Sequence, residues 1–363
     1  MKLRTLDEFQ PLLDLKQPNV VCLPEEEFFA QLEEISDTTT PTTLISHCMD
    51  QVHGFLYHDK IKLLNQLAKE RQHLTFIIIS VNQLDLCQEV VYYYFPEYHA
   101  IYWPLYASKT PSNLKITHHF LSLNKRGDPW RQILYKKFHN DNLLEKSHFS
   151  YLCEDNNYGS LYHEPTWYNN KHWADEYFIP KHMPELAGVW PNKKFIKLED
   201  DPLLDAYKDN SQYYIDPSWV DPTWSVDLSL VNTSFCNVII ETDIGNKLVN
   251  ISEKTIGALA SGHPMLLIGS KGTHQYLKDL GFDMFDDIFD NSFDQEWGLY
   301  QRFCLFTKSL DKIADKTIEE LEQIQNNIWD RCLKNRQRVK ELHEIMHTRA
   351  REIVQLVFHK LNM

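Results

Sequence analysis

The chain has no long apolar segment. Nowhere in its 363 residues does an apolar run reach the length of about eighteen residues that a membrane-spanning helix needs. Its start also lacks a basic region followed by a long apolar stretch. We therefore expect neither a signal peptide nor a membrane span, and we predict a cytoplasmic protein.

Paired cysteines are missing as well. The seven cysteines are odd in number, scattered along the chain and never arranged as Cys-x-x-Cys. This pattern is typical of reduced thiols and disfavours both a disulfide framework and a cysteine-based zinc site.

Positive charge is scarce relative to negative charge. The chain has 37 lysines and arginines against 51 acidic residues, which gives a net charge of −14. This balance disfavours a protein that coats nucleic acid through its overall field, although a local basic groove stays possible. The hydrophobic content of 43% is typical of globular proteins, and the length allows two domains.

The clearest local pattern lies in residues 251–282. Ser252 is predicted to cap a helix over Thr255–Ser261, followed by a short apolar strand at Met265–Ile268. Gly269–Thr273 is predicted to form a tight turn before a second helix. The stretch therefore predicts consecutive helix, strand and helix elements of an α/β fold.

Glu253 and Lys254 place a carboxylate and an ammonium in the first turn of the predicted helix. We expect backbone N–H groups of this turn to point outward. A sugar phosphate suits such a site, because the carboxylate binds ribose hydroxyls while the lysine and the helix dipole bind phosphate oxygens.

These residues resemble the donor half of GT-B glycosyltransferases. The pattern runs from Glu241-Thr242 through Ser252-Glu253-Lys254 and Gly262-His263-Pro264 to Leu280-Gly281-Phe282, and Asp290-Asn-Ser-Phe293-Asp294 matches its acidic-aromatic tail. The resemblance covers roughly residues 115 to 310 and is to exostosin-like enzymes and alpha-1,3-fucosyltransferases, in the soluble variant found in phages and bacteria.

The resemblance implies an α/β, GT-B-like fold, with two Rossmann-like domains facing a cleft and a helical C-terminal tail. The expected parts are an acceptor-side domain over residues 1–112, a donor domain over 113–310 and the tail over 311–363. The donor would be a UDP- or GDP-sugar, with no metal or further cofactor required. The acceptor would be a hydroxyl of a glycan or of a hydroxymethylated base in phage DNA, and a phage-encoded enzyme would act in the host cytoplasm.

A basic turn is predicted after the strand Phe120–Asn124, at the strand's carboxyl end, where α/β sheets bind ligands. The alternative is a solvated basic turn. Replacing Arg131 is expected to weaken diphosphate binding with little effect on stability. The full set of predicted donor-binding residues is Asn124, Lys125, Arg126, Arg131, Ser252, Glu253, Lys254, Thr255 and Gly272.

Three residues are candidates for catalysis. Glu241 ends a predicted buried strand, Ser234–Thr242, and is expected either to hold the donor sugar or to order the site. His47 or Asp50 is the preferred base for the acceptor hydroxyl, because a histidine pKa lies near working pH. A packing or surface role is the alternative for each.

The segment from Thr317 to the end has helical periodicity and contains neither glycine nor proline. It is predicted to pack back across both domains or to form a homodimer, and its basic residues are interpreted as a solvated face. Two other functions stay open, namely a non-catalytic nucleotide-sugar binder and a structural protein that oligomerises through this tail.

Overall fold

The computed structural model describes residues 9–14, 20–24, 28, 42–47, 54–80, 89–94, 115–124, 129–152, 179–187, 195–196, 228–241, 244–245, 249 and 251–361. The chain divides into two compact units. The first contains Met1–Trp103, Asn246–Asn250 and Val339–Met363, and the second contains Pro104–Gly245 and Ile251–Arg338. Each unit has a sheet of mainly parallel strands with helices, so the predicted α/β class is confirmed.

The sheet of the first unit is parallel and follows chain order, β1-β2-β3-β4. Its strands are Val20–Pro24, Thr42–His47, Leu74–Ser80 and Val91–Tyr94, and its helices include α1 (Gln10–Leu13) and α2 (Gly54–Glu70). β3 has the sequence LTFIIIS, and Phe76 to Ile79 are all buried. A continuous apolar run of this kind is typical of a parallel strand covered on both faces.

The sheet of the second unit has the order β7-β6-β5-β8-β9, in which only β7 is antiparallel. The strands are β5 (His118–Asn124), β6 (Ser147–Leu152), β7 (Phe195–Ile196), β8 (Ser234–Ile240) and β9 (Met265–Ile268). The helices are α3 (Pro129–Asn140), α4 (Ile179–His182), α5 (Leu228–Thr233), α6 (Glu253–Ala260), α7 (Thr273–Asp279) and α8 (Leu299–Ala314).

The strand order of this second sheet reverses between β5 and β8. From β5 the chain proceeds to β6 and β7 on one side, whereas β8 and β9 extend the sheet on the other side. Connections that leave such a pair of neighbouring strands in opposite directions open a crevice at the carboxyl ends, where α/β proteins bind ligands. All seven residues of β8, which lies between β5 and β9, are buried.

The last helix, α9 (Ile318–Lys360), contributes to both units. Its first half buries Leu321 and Ile328 in the core of the second unit. Its last half buries Ile353 and Val357 in the core of the first unit. The two halves of α9 therefore belong to different units, and a homodimer through this helix stays a prediction. In the described ranges, no helix is long and apolar enough to cross a membrane.

Three arginines of α9 bind specific partners, whereas Lys334, Lys340 and Arg351 of the same helix are exposed. The Arg331 guanidinium donates four hydrogen bonds to the carboxylates of Asp283 and Asp287, at 2.6 to 2.9 Å. Arg336 donates to the carbonyl of Ala260 at the end of α6. Arg338 likewise donates to the carbonyl of Leu280 after α7, at 2.7 Å. The solvated-face interpretation is wrong for these three arginines. Arg331 binds two carboxylates, and Arg336 and Arg338 place positive charge at helix C-termini, where the helix dipole favours it.

Candidate functional site

Glu241 directly follows β8, and its backbone N–H donates to the carbonyl of Ile268 at 3.0 Å. The residue is 1% exposed. Its carboxylate accepts three hydrogen bonds, from the backbone N–H of Ser252 at 3.0 Å, from the Ser252 hydroxyl at 2.5 Å and from the Thr255 hydroxyl at 2.5 Å. Glu241 therefore anchors the N-terminus of α6 to the carboxyl end of β8.

This anchoring assigns roles to three of the predicted site residues. Of the two expectations for Glu241, the geometry matches the ordering of the site, since both carboxylate oxygens are engaged by the chain itself. The hydroxyls of Ser252 and Thr255 also face Glu241, and these residues are 3% and 0% exposed. All three residues position the start of α6.

The expectation of outward-pointing N–H groups is wrong for two residues at this helix start. Ser252 caps the helix as predicted, and its hydroxyl accepts from the N–H of Lys254 at 3.4 Å. The N–H of Ser252 itself is bound by Glu241. The N–H groups of Ser252 and Lys254 are therefore bound within the chain.

Glu253 and Lys254 form an ion pair at the surface of this helix start. Lys254 Nζ lies 2.7 Å from Glu253 Oε1 and donates to the Ser252 hydroxyl at 3.3 Å. The two side chains are 26% and 23% exposed, so a ligand can reach both. Burial alone would raise the pKa of Glu253, but the charge and hydrogen bond of Lys254, together with the charge of Arg131, lower it. Glu253 is therefore an ionised acceptor at neutral pH.

Arg131 lies in the first turn of α3, at the same edge of the sheet. Its Nη2 donates to the carbonyl of Ile240, the last residue of β8, at 3.2 Å. Its charge also acts on the Glu253 carboxylate. The structure thus brings Arg131, Glu253 and Lys254 together at the reversal between β5 and β8, although 122 positions separate Arg131 from Glu253.

The expectation that replacing Arg131 has little effect on stability does not fit the burial of this residue. The side chain is 1% exposed and holds the end of β8, so its replacement is expected to reduce fold stability as well as ligand binding. A buried guanidinium whose charge reaches a partly exposed carboxylate is a fixed part of the site rather than a mobile surface contact.

Asn124 and Gly272 have structural contacts near the same edge. Asn124 ends β5, is 3% exposed and donates through Nδ2 to the Ser122 hydroxyl at 3.0 Å. Gly272 precedes α7 with a φ of 85°, a conformation that favours glycine, and its N–H donates to the carbonyl of Asp294. Both residues shape the backbone around the site.

Several predicted site residues cannot be added to this geometry. Lys125, Arg126 and Asp50 lie outside the described residues, and His47 is the last residue of β2 in the first unit. In the part of the chain that the structure describes, no group of three or more histidine, cysteine or acidic residues is placed to hold a metal ion.

The sequence analysis did not predict the role of a second buried arginine, Arg302. Arg302, in the first turn of α8, is 3% exposed and donates to the carbonyls of Ile244 and Glu296. It thereby fastens the segment after β8 to the segment before α8. Burial lowers the pKa of Arg302, and the nearby Asp294 and Glu296 carboxylates oppose that effect. The sequence signal that could have indicated this helix is its periodicity, because its apolar residues recur every three or four positions.

A histidine motif in α9 was also not predicted. His343-Glu344-Ile345-Met346-His347 has the His-Glu-x-x-His spacing that binds zinc on helices of metallopeptidases. The two rings lie one helical turn apart, with centroids separated by 4.4 Å. Within the described ranges no third ligand joins them in a group suited to a metal ion.

The contacts above define the candidate site as Arg131, Glu253 and Lys254, positioned by Glu241, Ser252 and Thr255. Comparisons of the chain with family models, with curated proteins and with solved structures found no match. The functional argument therefore depends on the position and chemistry of these residues.

Proposed function

We propose that this protein is a glycosyltransferase that uses a nucleotide-diphosphate sugar. The observation that carries the proposal is the reversal of strand order between β5 and β8, at which Arg131, Glu253 and Lys254 come together. A crevice at such a reversal is where α/β sheets bind nucleotides. Two cations and one ionised carboxylate are the groups needed for a diphosphate and a ribose.

The ion pair between Glu253 and Lys254 has a specific role in this proposal. In the absence of donor, each residue partly neutralises the other at 2.7 Å. On binding, the Lys254 ammonium bonds the diphosphate, and the Glu253 carboxylate accepts hydrogen bonds from ribose hydroxyls. Arg131 adds a second positive charge that is already fixed in place by the carbonyl of Ile240.

The chemical step requires stabilisation of the departing nucleoside diphosphate and removal of a proton from the acceptor hydroxyl. Lys254 and Arg131 supply the first requirement. We assign the second to His47 or Asp50 of the first unit, in a GT-B arrangement with a cleft between the units. Two sheets of mainly parallel strands, one in each unit, support that arrangement.

A glycan hydroxyl is the acceptor that the charge balance favours, since a net charge of −14 repels DNA unless a basic groove offsets it. A hydroxymethylated base in phage DNA is the other acceptor, and it would have to be flipped out of the duplex. Transfer of radiolabelled sugar to an oligosaccharide panel, compared with transfer to modified duplex DNA, separates these two acceptors.

The proposal is tested first by thermal unfolding with UDP-, GDP-, CMP- and dTDP-sugars. A donor at a hundred times its Kd stabilises the protein by about 2.7 kcal/mol. We expect Glu253→Ala to abolish donor binding in calorimetry, because the ribose loses its acceptor. Glu145→Ala, which removes an exposed carboxylate of the same unit, is the matched control. An unchanged nucleotide affinity in Glu253→Ala would reject the assigned role.

A non-catalytic nucleotide-sugar binder is the competing function, because the same three residues bind a donor whether or not transfer follows. Slow release of free sugar from the donor without an acceptor indicates a transferase. A protein that binds the donor and neither hydrolyses nor transfers it is a binder.

A further inference from the structure

Trp297 is unusually exposed for a tryptophan at the ligand-binding edge of a sheet. The side chain is 81% exposed. Within the described ranges the other exposed large hydrophobic residues are 36% to 47% exposed, and they lie on α2 and α9 rather than on a loop. Packing in the core therefore does not explain why a tryptophan occupies position 297.

Hydrogen bonds fix the segment that carries Trp297. On one side, Arg302 joins the carbonyl of Glu296 to that of Ile244, in the segment that follows β8. On the other side, the N–H of Gly298 donates to the Glu296 carboxylate at 3.0 Å. Trp297 is thus an exposed ring beside Glu296 and Gly298, and Arg302 ties this segment to the carbonyl of Ile244, four residues after the end of β8.

Lys271, from the turn after β9, lies against this ring. Its Nζ is 3.2 Å from the centroid of the Trp297 ring, close enough for a cation–π contact. The ring nevertheless keeps most of its surface exposed, so the ammonium covers one face and leaves the other open. The turn after β9 and the segment before α8 thereby present a cationic and aromatic surface.

We propose that Trp297 is the stacking platform for the nucleobase of the donor, with Lys271 supporting the ring from its opposite face. This inference rests on the proposed nucleotide-sugar site. Arg131, Glu253 and Lys254 account for the diphosphate and the ribose but provide no aromatic surface for the base. A base stacks on an indole face whatever its hydrogen-bonding edge, so Trp297 contributes affinity for nucleotides in general.

The test compares ligands with and without a base. Calorimetry is run with UDP, GDP and inorganic pyrophosphate on the wild type, Trp297→Ala, Trp297→Phe and the surface control Leu333→Ala. We expect Trp297→Ala to weaken UDP and GDP binding about 5- to 150-fold, which corresponds to about 1–3 kcal/mol. Trp297→Phe keeps most of the affinity because it keeps a ring. Pyrophosphate binding stays unchanged in every variant.

Each outcome has a distinct meaning. Unchanged UDP and GDP affinity in Trp297→Ala would overturn the platform while leaving the proposed function standing. An equal loss for pyrophosphate and nucleotides would overturn it too, because the change would then act on the diphosphate site. Absence of UDP and GDP binding in the wild type would overturn the proposed function and the platform with it.

Discussion

The two sheets differ in the order of their strands, and this difference locates the candidate site. In the first unit the described strands follow chain order from β1 to β4. In the second unit the order reverses between β5 and β8, and the charged residues cluster at the carboxyl ends of those strands. The strand order therefore predicts a ligand-binding crevice in the second sheet, at its reversal, and predicts none among the described strands of the first sheet.

The two units also differ in what they bury. Every buried polar or charged residue among those described lies in the second unit, whereas the described core of the first unit is apolar. Burying a polar group is unfavourable unless a hydrogen bond compensates for it. Hydrogen bonds and pH should therefore affect the second unit more strongly than the first.

Glu241→Ala is the largest test of this difference. The change leaves the Ser252 N–H and the hydroxyls of Ser252 and Thr255 without their acceptor in a buried place. We expect the free energy of unfolding to fall by about 3–5 kcal/mol, as several buried donors lose their partner together. Urea denaturation measures this loss.

Two variants sharpen the Glu241 result. Glu241→Gln keeps the shape but removes the charge and one acceptor, and it should cost less than Glu241→Ala. Ile79→Ala in the first unit should cost about 2–5 kcal/mol through its cavity, with no effect on hydrogen bonding. If Glu241→Ala is within about 1 kcal/mol of the wild type, the carboxylate is not the anchor described here.

A second test uses pH, because histidines with lowered pKa values lie in the second unit. Burial, opposed by a hydrogen bond to the Ser234 carbonyl, lowers the pKa of His263 from 6.5 to about 4. The neutral ring accepts from Asn237 at 2.7 Å and donates to Ser234 at 2.8 Å. The unfolded chain therefore binds a proton more readily than the folded chain between these two pKa values.

The stabilisation from neutral His263 is complete above pH 6.5 and is lost as the pH falls towards about 4. At pH 5 this single residue should cost about 2 kcal/mol relative to pH 7.5. Denaturation of His263→Gln at both pH values should show a correspondingly smaller pH dependence. His359→Gln, on the exposed end of α9, should behave like the wild type. An equal pH dependence in His263→Gln and wild type contradicts this account.

The sequence predicted elements whose signals are local. Met265–Ile268 was predicted to the residue, because it is an apolar run bounded by turn residues. Ser252 was recognised as a cap from its position before an apolar period. The charged pair Glu253 and Lys254 was likewise recognised because the two residues are adjacent in the sequence.

The remainder depends on contacts between distant residues. β6 has the sequence SHFSYL, which carries too few apolar residues to predict a strand without its pairing to β5. The hydrogen bond from Thr255 to Glu241 joins residues fourteen positions apart, and no local sequence pattern predicts it. The hydrogen bond from Arg131 to the carbonyl of Ile240 joins residues 109 positions apart, and no sequence pattern predicts it.

The smallest test concerns the half of α9 that belongs to the second unit. Arg331 binds Asp283 and Asp287, and these hydrogen bonds lower the pKa of both carboxyls. The groups are 30% to 62% exposed, so solvent screening limits the effect of Arg331→Ala to about 1 kcal/mol at pH 7. Because the pKa values of both aspartates are lowered, this stabilisation is present above pH 3.8 and declines as the aspartates protonate below it.

Denaturation of Arg331→Ala at pH 7 and at pH 3 checks the size and the direction of this effect. Arg331→Lys should recover only part of it, since an ammonium lacks the planar fork that binds two carboxylates at once. Arg351→Ala, in the half of α9 that belongs to the first unit, removes an exposed guanidinium that donates to Thr348, and it should change stability by less than about 0.5 kcal/mol. Equal losses for Arg331→Ala and Arg351→Ala would show that the two halves of this helix do not differ in their dependence on polar contacts.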